Sequence, residues 1–443
     1  MTVWSRLRHR MSCHPNATVS DGERTRTYEA WITEIETLSK SLTPHTGAAI
    51  LCRSAMSTAT AVLACFAAGV TALPLPADPI AITRDRMRLA QLSAILTEEN
   101  GVFTVRPYKA LPSARPSSAE APSLILFTAG TTDTPKGVCL SEANLMAALS
   151  DCHEVLPFTE SDRLLLTGSL TDADSLISLL LPALTCGVSL FFASASLHPT
   201  KLLSLLERQA ITAFFATPTR WATLLRFVSR ALPLRTLFIG GEYLGQPLAE
   251  AIVAACPKAR LLVGYGATET GGWIAFSEPF GAGAFSPALH PLPSVQLARS
   301  NGSLVVSGNR VMLGYLTDGA KFPTPTPFWN SGDLSELAED GTLRLAGRAA
   351  ERRYHGAIPF DPVTVEGALS GDPRVWEVRY DPGSRPDGAG AVLQVAGRFV
   401  HPDEIRQLCR QRLPAAILPK QIEIVASLPQ TPNGKRLRRG RAT

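Results

Sequence analysis

Short apolar segments recur along the N-terminal part of the chain and alternate with segments of helical character. Residues 48–52, 71–75 and 124–127 are uninterrupted runs without a charged side chain. Such runs are typical of strands buried on both faces, because a solvated face would introduce alternating polar residues. Helical segments between the runs, such as 58–68 and 143–150, supply the crossovers that parallel strands need. The pattern predicts an α/β fold with doubly wound, mostly parallel sheets.

Two longer stretches without charged residues, 54–77 and 175–197, each reach the length of about 20 residues that spans a bilayer. A glycine and a proline interrupt each stretch, and its residue types change there from Ala/Leu-rich to β-branched or aromatic. A buried helix followed by a buried strand explains this change better than a membrane span. We therefore expect no membrane-spanning segment.

The pattern changes near residue 285, where apolar and polar residues begin to alternate. Short alternating segments at 295–297, 304–306 and 343–345 are separated by turn sequences such as Asn301-Gly302. This predicts a small antiparallel β subdomain at about 285–349 within an N-terminal domain of residues 1–349. The remainder, 350–443, is more charged and is expected to form a small α+β domain.

Charge and cysteine content exclude several classes of protein. With 43 Lys and Arg against 38 Asp and Glu, the net charge of +5 is too small for its length to indicate nucleic-acid binding. The basic segment 435–441 is interpreted as a solvated tail. Eight cysteines without a CxxC pair, and an N-terminus without an apolar signal segment, predict reduced thiols in the cytoplasm. The histidines show no zinc-ligand spacing.

The segment 128–137, TAGTTDTPKG, is the first candidate site. It follows a strand and is expected to precede a helix, so its backbone N–H groups and hydroxyls can surround phosphate oxygens. Lys136 adds a positive charge. The alternative is a polar surface turn, but four hydroxyl residues, two glycines and a lysine in ten positions favour phosphate binding.

The segment 264–271, GYGATETG, is the second candidate site and also follows a buried strand. It differs from the GxGxxG dinucleotide motif because Glu269 occupies the position of the last glycine. A carboxylate there repels a pyrophosphate unless it holds a Mg²⁺ ion that bridges the phosphates. Tyr265 presents a flat face to a nucleotide base.

Two further segments carry single charged residues at turns. Asp333 in Ser331-Gly332-Asp333 can accept hydrogen bonds from a ribose diol, although such an aspartate is more often structural. Lys435 follows Asn433-Gly434, a tight turn, and can neutralise a carboxylate or an α-phosphate. Its alternative role is that of one more lysine in the tail.

In this order and spacing, the four segments resemble the adenylate-forming superfamily, which comprises acyl-CoA synthetases, adenylation domains of peptide synthetases, and luciferases. Further matches are 27–29, 302–315, Gly347-Arg348, Gly356 and Glu366. The resemblance covers almost the whole chain. It implies a large N-terminal domain followed by a small mobile C-terminal domain that carries the catalytic lysine.

The resemblance also implies roles for individual residues. The residues that match the ATP phosphate loop are Thr128, Gly130, Thr131, Thr132, Lys136 and Gly137. The residues that match the adenine, ribose and hinge positions are Gly240, Gly241, Glu242, Tyr265, Gly266, Asp333 and Arg348. Thr268 matches the α-phosphate contact and Glu269 the Mg²⁺ ligand. Lys435 matches the lysine that joins the substrate carboxylate to the α-phosphate.

The implied reaction is the ATP-dependent conversion of a small carboxylic acid to an acyl-adenylate, with release of pyrophosphate. Transfer to a thiol follows, either of coenzyme A or of the phosphopantetheine of a carrier protein. Asp133 stands where the family usually has glycine, and its charge beside the phosphates is unfavourable. A catalytically degenerate nucleotide-binding or scaffold protein is therefore the alternative from another class.

The expected acid pocket is lined by Phe215, Phe238, Gly272 and Trp273, whose bulk favours a short substrate. Asp174 matches the position where amino-acid adenylation domains pair with the substrate ammonium group. The alternative is that Asp172, Asp174 or both cap the helix that begins near Ser175. The sequence thus leaves open a stand-alone amino-acid adenylating enzyme that acts on a carrier protein.

Overall fold

The computed structural model describes the chain except for residues 77–79, 91, 109–120, 129–135, 168–169, 195, 281–287, 317–325, 356–357, 371, 373, 382–391, 399, 420 and 429–443. The described α-helices are α1 (Val3–Ser12), α2 (Tyr28–Leu42), α3 (Ala55–Ala68), α4 (Ile80–Ala90), α5 (Glu142–Val155), α6 (Leu181–Thr185), α7 (Pro199–Arg208), α8 (Pro218–Leu225), α9 (Gln246–Ala255), α10 (Pro362–Leu369) and α11 (Pro402–Arg412). A π-helix covers Asp174–Leu180, and 3-10 turns cover Thr268–Thr270 and Ala415–Ile417.

The described strands, in chain order, are β1 (Thr18–Ser20), β2 (Thr25–Thr27), β3 (Gly47–Leu51), β4 (Thr71–Pro74), β5 (Ala94–Glu99), β6 (Val102–Pro107), β7 (Leu124–Thr128), β8 (Lys136–Leu140), β9 (Arg163–Leu166), β10 (Ser189–Phe192), β11 (Ala213–Ala216), β12 (Thr236–Gly240), β13 (Arg260–Ala267), β14 (Gly272–Ser277), β15 (Leu289–Pro291), β16 (Val295–Ser300), β17 (Ser303–Gly308), β18 (Gly314–Tyr315), β19 (Phe328–Leu337), β20 (Leu343–Arg348), β21 (Arg353–His355), β22 (Ile358–Phe360), β23 (Val375–Asp381), β24 (Val392–Gly397) and β25 (Gln421–Ile424).

Two large sheets dominate the fold. The 13-stranded sheet has the order β16-β17-β19-β20-β15-β14-β13-β12-β11-β9-β10-β1-β2, and neighbouring strands are parallel from β1 to β13. The seven-stranded sheet has the order β18-β8-β7-β4-β3-β5-β6, with β7, β4, β3 and β5 parallel. The predicted α/β class is confirmed: each large sheet contains a block of parallel strands, and antiparallel strands extend the block at its edges.

The strands between residues 285 and 349 pair antiparallel, as their alternating pattern indicates. The pairing of Leu289 with Leu343 joins β15 to β20, so β15, β16, β17, β19 and β20 extend the 13-stranded sheet instead of forming a sheet of their own, while β18 pairs with β8 in the seven-stranded sheet. A separate three-stranded sheet, β23-β24-β25, packs with α10 and α11 around its own apolar core. The division of the chain into domains at Ala350 stays a prediction.

Each charge-free stretch is a helix followed by a strand. In the first, every side chain of α3 from Met56 to Phe66 is buried, and charges are absent because no face of this helix meets water. The Ser54 hydroxyl caps its N-terminus, and Gly69 ends it in the left-handed conformation with φ of 67°. Among the described residues, no helix has the length and apolar character that crossing a bilayer requires.

The parallel strands lead the chain to the candidate site. β12 ends at Gly240, its neighbour β13 ends at Ala267, and the two strands are in register up to the pair Gly240–Gly264. Carboxyl ends of adjacent parallel strands meet at one edge, which is where ligands bind in open α/β sheets. Of the predicted contacts, Gly240, Tyr265 and Gly266 lie on the last residues of these two strands, and Glu269 follows them.

Candidate active site

The candidate phosphate segment connects the two strands of a β-hairpin. β7 and β8 are antiparallel, and Thr128 pairs with Lys136 next to the connection. The prediction that this turn precedes a helix is wrong, because β8 comes first and α5 begins only at Glu142. The segment therefore does not rely on the dipole of a helix N-terminus to attract an anion. Gly130, Thr131, Thr132 and Asp133 lie outside the described residues.

Lys136 and Glu269 each contact Tyr315. The Lys136 ammonium is 5.0 Å from the centroid of the tyrosine ring, and the tyrosine hydroxyl donates a 2.8 Å hydrogen bond to Glu269 Oε1. Burial and the neighbouring Glu269 carboxylate raise the pKa of Tyr315, so its phenol keeps its proton and remains a donor. One tyrosine thus brings together a cation and a carboxylate from distant parts of the sequence.

Glu269 lies in the 3-10 turn Thr268–Thr270, which we call the metal turn. Gly271 follows in the left-handed conformation with φ of 61°, which lets the chain reverse directly into β14. The half-buried Thr268 has no hydrogen-bond partner for its hydroxyl among the described residues, so that hydroxyl is available to a ligand. The turn therefore presents a carboxylate and a hydroxyl side by side.

The donor set at Glu269 fits Mg²⁺. The described part of the chain contains no group of three or more His, Cys, Asp or Glu side chains that could hold a metal ion. Mg²⁺ does not need such a cage, because it usually binds one or two carboxylates, substrate phosphates and water. Tyr315 occupies one acceptor position of the Glu269 carboxylate and leaves the other oxygen to a cation.

Asp333 lies between Tyr265 and Arg348. Its Oδ2 accepts a 2.6 Å hydrogen bond from the Tyr265 hydroxyl, and its Oδ1 lies 2.9 Å from Arg348 Nε. Asp333 and Arg348 face each other on β19 and β20. Burial, followed by the Asp333 carboxylate, raises the pKa of Tyr265 well above its ordinary value, so the phenol stays protonated. Each carboxylate oxygen keeps one lone pair for a diol.

The residues predicted to lie beside adenine are at the end of β12. Gly241 has φ of 80°, a conformation that favours glycine. Glu242 Oε2 accepts a 2.9 Å hydrogen bond from the Thr219 backbone N–H, in the first turn of α8. A carboxylate at this helix terminus stabilises α8, and the sequence alone does not indicate this contact.

The aromatic residues expected to line the acid pocket pack against one another around Trp273. Trp273 is 1% exposed, and its ring centroid lies 5.4 Å from that of Phe215 and 6.0 Å from that of Phe238. A Cβ on Gly240 would lie 3.0 Å from the indole nitrogen, and a Cβ on Gly264 would lie 2.7 Å from indole carbon Cδ2. Both glycines therefore make room for the indole.

Ser178 and two neighbouring glycines fix the backbone beside the indole. The Trp273 backbone N–H donates a 2.9 Å hydrogen bond to the Ser178 hydroxyl. A Cβ on Gly272 would overlap that hydroxyl, and a Cβ on Gly266 would overlap the Gly272 carbonyl oxygen. The indole N–H itself is buried and has no hydrogen-bond partner among the described residues.

The two aspartates before Ser175 have different surroundings. Asp172 Oδ1 accepts a 2.8 Å hydrogen bond from the Ser175 backbone N–H, which is the capping contact considered above. Asp174 is buried, 7% exposed, and begins the π-helix. Helices of this kind are frequent at functional sites. Capping thus accounts for Asp172.

No role is predicted from the sequence for Asp151 or for Arg310, although Arg310 lies in the matched segment 302–315. Arg310 is fully buried, and its Nη1 lies 3.2 Å from Asp151 Oδ2 on α5. The pair joins residues 159 positions apart, so no local pattern reveals it. A charged residue within the otherwise apolar run 310–313 is the one signal that sequence reasoning could have used.

The structure thus forms two clusters from the predicted residues, one around Tyr315 and one around Asp333, and places the aromatic rings of Phe215, Phe238 and Trp273 beside Gly240. Lys435 lies outside the described residues.

The chain is similar in sequence to known proteins. A family model described as AMP-binding enzyme matches residues 80–316. The chain is 28% identical over 364 residues to a feruloyl-CoA synthase of an Amycolatopsis species, covering 74% of this chain and 70% of that protein. It is 27% identical over 352 residues to a dimodular nonribosomal peptide synthase of Bacillus subtilis (strain 168), covering 72% and 14% respectively.

The fold is similar to that of solved ligases. O-succinylbenzoate coenzyme A synthetase (MenE) from Bacillus subtilis in complex with AMP has a TM-score of 0.79 at 22% identity, with 99% of this chain and 97% of that chain covered. The same synthetase with ATP and a magnesium ion has a TM-score of 0.78 at 21% identity, with 99% and 98% covered.

Proposed function

The chain belongs to the AMP-binding enzyme family, and we propose that it activates a small carboxylic acid with ATP and transfers the acyl group to a thiol. The single observation that carries the proposal is the cluster Lys136–Tyr315–Glu269. It unites a cation, a hydroxyl and a carboxylate at the end of the hairpin whose connection matches the phosphate loop. That set suits a triphosphate with its divalent cation.

Different described residues would bind the ribose and the phosphates of the nucleotide. Asp333 accepts hydrogen bonds from the ribose hydroxyls, and Tyr265 and Arg348 hold its carboxylate ready for them. Thr268 and Lys136 contact phosphate oxygens. Glu269 would hold Mg²⁺, which when bound neutralises phosphate charge and favours departure of pyrophosphate.

In the first step a carboxylate oxygen of the acid forms a bond to the α-phosphorus of ATP, and the bond between that phosphorus and the bridging oxygen of pyrophosphate breaks. Two anions must approach each other, so positioned positive charge lowers the barrier. We assign this charge to Lys435 in addition to the cation at Glu269.

In the second step a thiolate forms a bond to the acyl carbon, and AMP leaves with the electron pair of the broken C–O bond. The acceptor is coenzyme A or the phosphopantetheine of a carrier protein. We assign this step to a second orientation of residues 350–443, which bring Gly356 to the pantetheine arm; Gly356 lies outside the described residues. We also propose a cytoplasmic location, which the eight free thiols support.

The proposed acid is small, because Trp273, Phe215 and Phe238 fill the pocket. The amino-acid alternative rests on Asp174, which matches the position where amino-acid adenylation domains pair with the substrate ammonium group. Asp174 is buried at the start of the π-helix, and a Cβ on Gly272 of the expected acid pocket would lie 3.3 Å from the carbonyl oxygen of its neighbour Ala173.

Replacing Asp174 by alanine tests the alternative. If the carboxylate binds an ammonium group, we expect kcat/KM for the preferred amino acid to fall about tenfold relative to the analogous acid without the amino group, because a hydrogen bond to a charged group contributes ~1.5 kcal/mol. Asp172→Ala is the matched control, since it removes the capping contact and leaves this ratio unchanged. An unchanged ratio in Asp174→Ala would exclude the pairing.

A screen of ATP–pyrophosphate exchange over amino, aryl and short aliphatic acids tests the proposed function. Exchange with at least one acid is expected, followed by mass-spectrometric detection of the acyl product on coenzyme A or a carrier protein. No exchange with any acid would contradict the proposal. If Asp133→Gly then restored exchange, the degenerate nucleotide-binding protein would be the better description.

A further inference from the structure

Residues 309–316, which we call the clasp, hold the backbone of the metal turn. The Met312 N–H donates a 2.8 Å hydrogen bond to the Glu269 carbonyl. Arg310 donates from Nε to the Thr270 carbonyl at 3.2 Å and from Nη2 to the Gly271 carbonyl at 2.9 Å. Three consecutive carbonyl groups of the site are thus bound by one segment, whose Tyr315 also binds the Glu269 side chain.

The charge of Arg310 is balanced inside the protein. Asp151 on α5 lies 3.2 Å from the guanidinium and also accepts a 2.5 Å hydrogen bond from the Ser294 hydroxyl. A fully buried arginine is tolerated only when it is paired and its donors are bound. The planar guanidinium fixes two carbonyls in one relative geometry, which a lysine cannot do. Burying this ion pair costs desolvation free energy, and the buried guanidinium binds the backbone of the turn that carries Glu269.

The clasp also binds the β7–β8 hairpin (Leu124–Thr128 and Lys136–Leu140), which we call the phosphate hairpin. The Leu313 N–H donates to the Cys139 carbonyl at 2.9 Å, and the Leu316 N–H donates to the Gly137 carbonyl at 2.7 Å. Asn144 Nδ2 donates to the carbonyls of Asn309 and Val311, which fastens the start of the clasp to α5. The metal turn and the hairpin therefore share one support.

We infer that Arg310, held by Asp151, is a positioning residue that fixes the Glu269 carboxylate relative to the phosphate hairpin and so sets the affinity for metal-bound nucleotide. The inference rests on the proposed function. Arg310 donates its described hydrogen bonds to carbonyl groups of the turn and to Asp151, and none of these bonds goes to Tyr265, Asp333 or Arg348. Its loss should therefore weaken the metal-dependent part of nucleotide binding and leave the ribose contacts intact.

Calorimetry on the full-length protein tests this, with ATP in excess Mg²⁺ as one probe and AMP without metal as the other. For Arg310→Met we expect the Kd for MgATP to rise about 10- to 100-fold, as for other residues that orient a metal ligand. The Kd for AMP is expected to stay unchanged. Arg310→Lys should recover only part of the MgATP affinity, because lysine keeps the charge but cannot donate to the Thr270 and Gly271 carbonyls in one fixed geometry.

Arg235→Met is the matched control. Arg235 forms an ion pair with the buried Asp162 and donates to the Pro157 carbonyl, away from both clusters of the site. Its loss should lower the melting temperature and leave both dissociation constants unchanged. If Arg310→Met alone does not fold, the double variant Arg310→Met with Asp151→Leu removes both buried charges and should restore stability. MgATP binding should remain weak in it.

The outcomes separate the two proposals. Wild-type protein that shows neither exchange nor MgATP binding would overturn the proposed function and this inference with it. Wild-type protein that binds MgATP, together with a folded Arg310 variant that binds it equally well, would overturn the inference alone. An equal loss of MgATP and AMP affinity would also overturn it, because that pattern reports general destabilisation.

Discussion

Glu269→Gln is expected to reduce acid-dependent pyrophosphate exchange about 10²- to 10³-fold, the loss typical of removing one preorganised electrostatic contact to the transition state. The amide keeps the size of the side chain and can still accept the 2.8 Å hydrogen bond from Tyr315. It loses the negative charge that would bind Mg²⁺, so half-maximal exchange should require more Mg²⁺. Exchange is measured with the preferred acid over a range of Mg²⁺ concentrations.

Tyr315→Phe is the control for this substitution. It removes the donor to Glu269 and keeps the ring beside Lys136. Losing one hydrogen bond of ~1 kcal/mol should change exchange less than tenfold. If Glu269→Gln retained wild-type exchange and Mg²⁺ dependence, the carboxylate would not be the metal ligand. Unchanged AMP binding in both variants would show that the ribose contacts remain intact.

The sequence predicts the fold because local patterns suffice for it. The uninterrupted apolar runs and the alternating strands after residue 285 each reflect how many faces of a strand meet water, which is a local property. Local patterns also explain why the sequence did not predict the β7–β8 hairpin. Lys136–Leu140 is a short, largely apolar segment, and such a segment suits either a strand or the beginning of α5.

The internal contacts of the candidate site could not be predicted in this way. Tyr265 binds Asp333 across 68 positions and Arg310 binds Asp151 across 159, and only the order of strands in the sheet brings such residues together. Motif resemblance identified Asp333 and Tyr265 individually, because matching motifs assigns residues one at a time. It matched the segment 302–315 as a whole and gave no individual role to Arg310, whose hydrogen bonds go to backbone carbonyl groups of the turn.

Trp273→Ala is expected to shift acid selectivity toward larger acids by about a hundredfold in the ratio of kcat/KM values, since each methylene that a pocket admits or rejects changes this ratio 10- to 200-fold. The indole occupies the space between Phe215, Phe238 and the glycines of β12 and β13, and its removal opens that space to a substrate ring. The truncation also costs ~3–5 kcal/mol of stability, so Trp273→Leu is the milder second variant. Selectivity is measured by exchange with paired short and aryl acids.

Trp221→Leu separates selectivity from stability. Trp221 is also a fully buried tryptophan whose indole N–H has no partner among the described residues, but it packs on Phe214 in a different core cluster. Its loss should destabilise the fold as much as Trp273→Leu does and leave the preference between short and aryl acids unchanged. A change of preference in both variants would indicate a loosened fold. A change in neither would mean that Trp273 does not limit the pocket, and the proposed restriction to small acids would then fail.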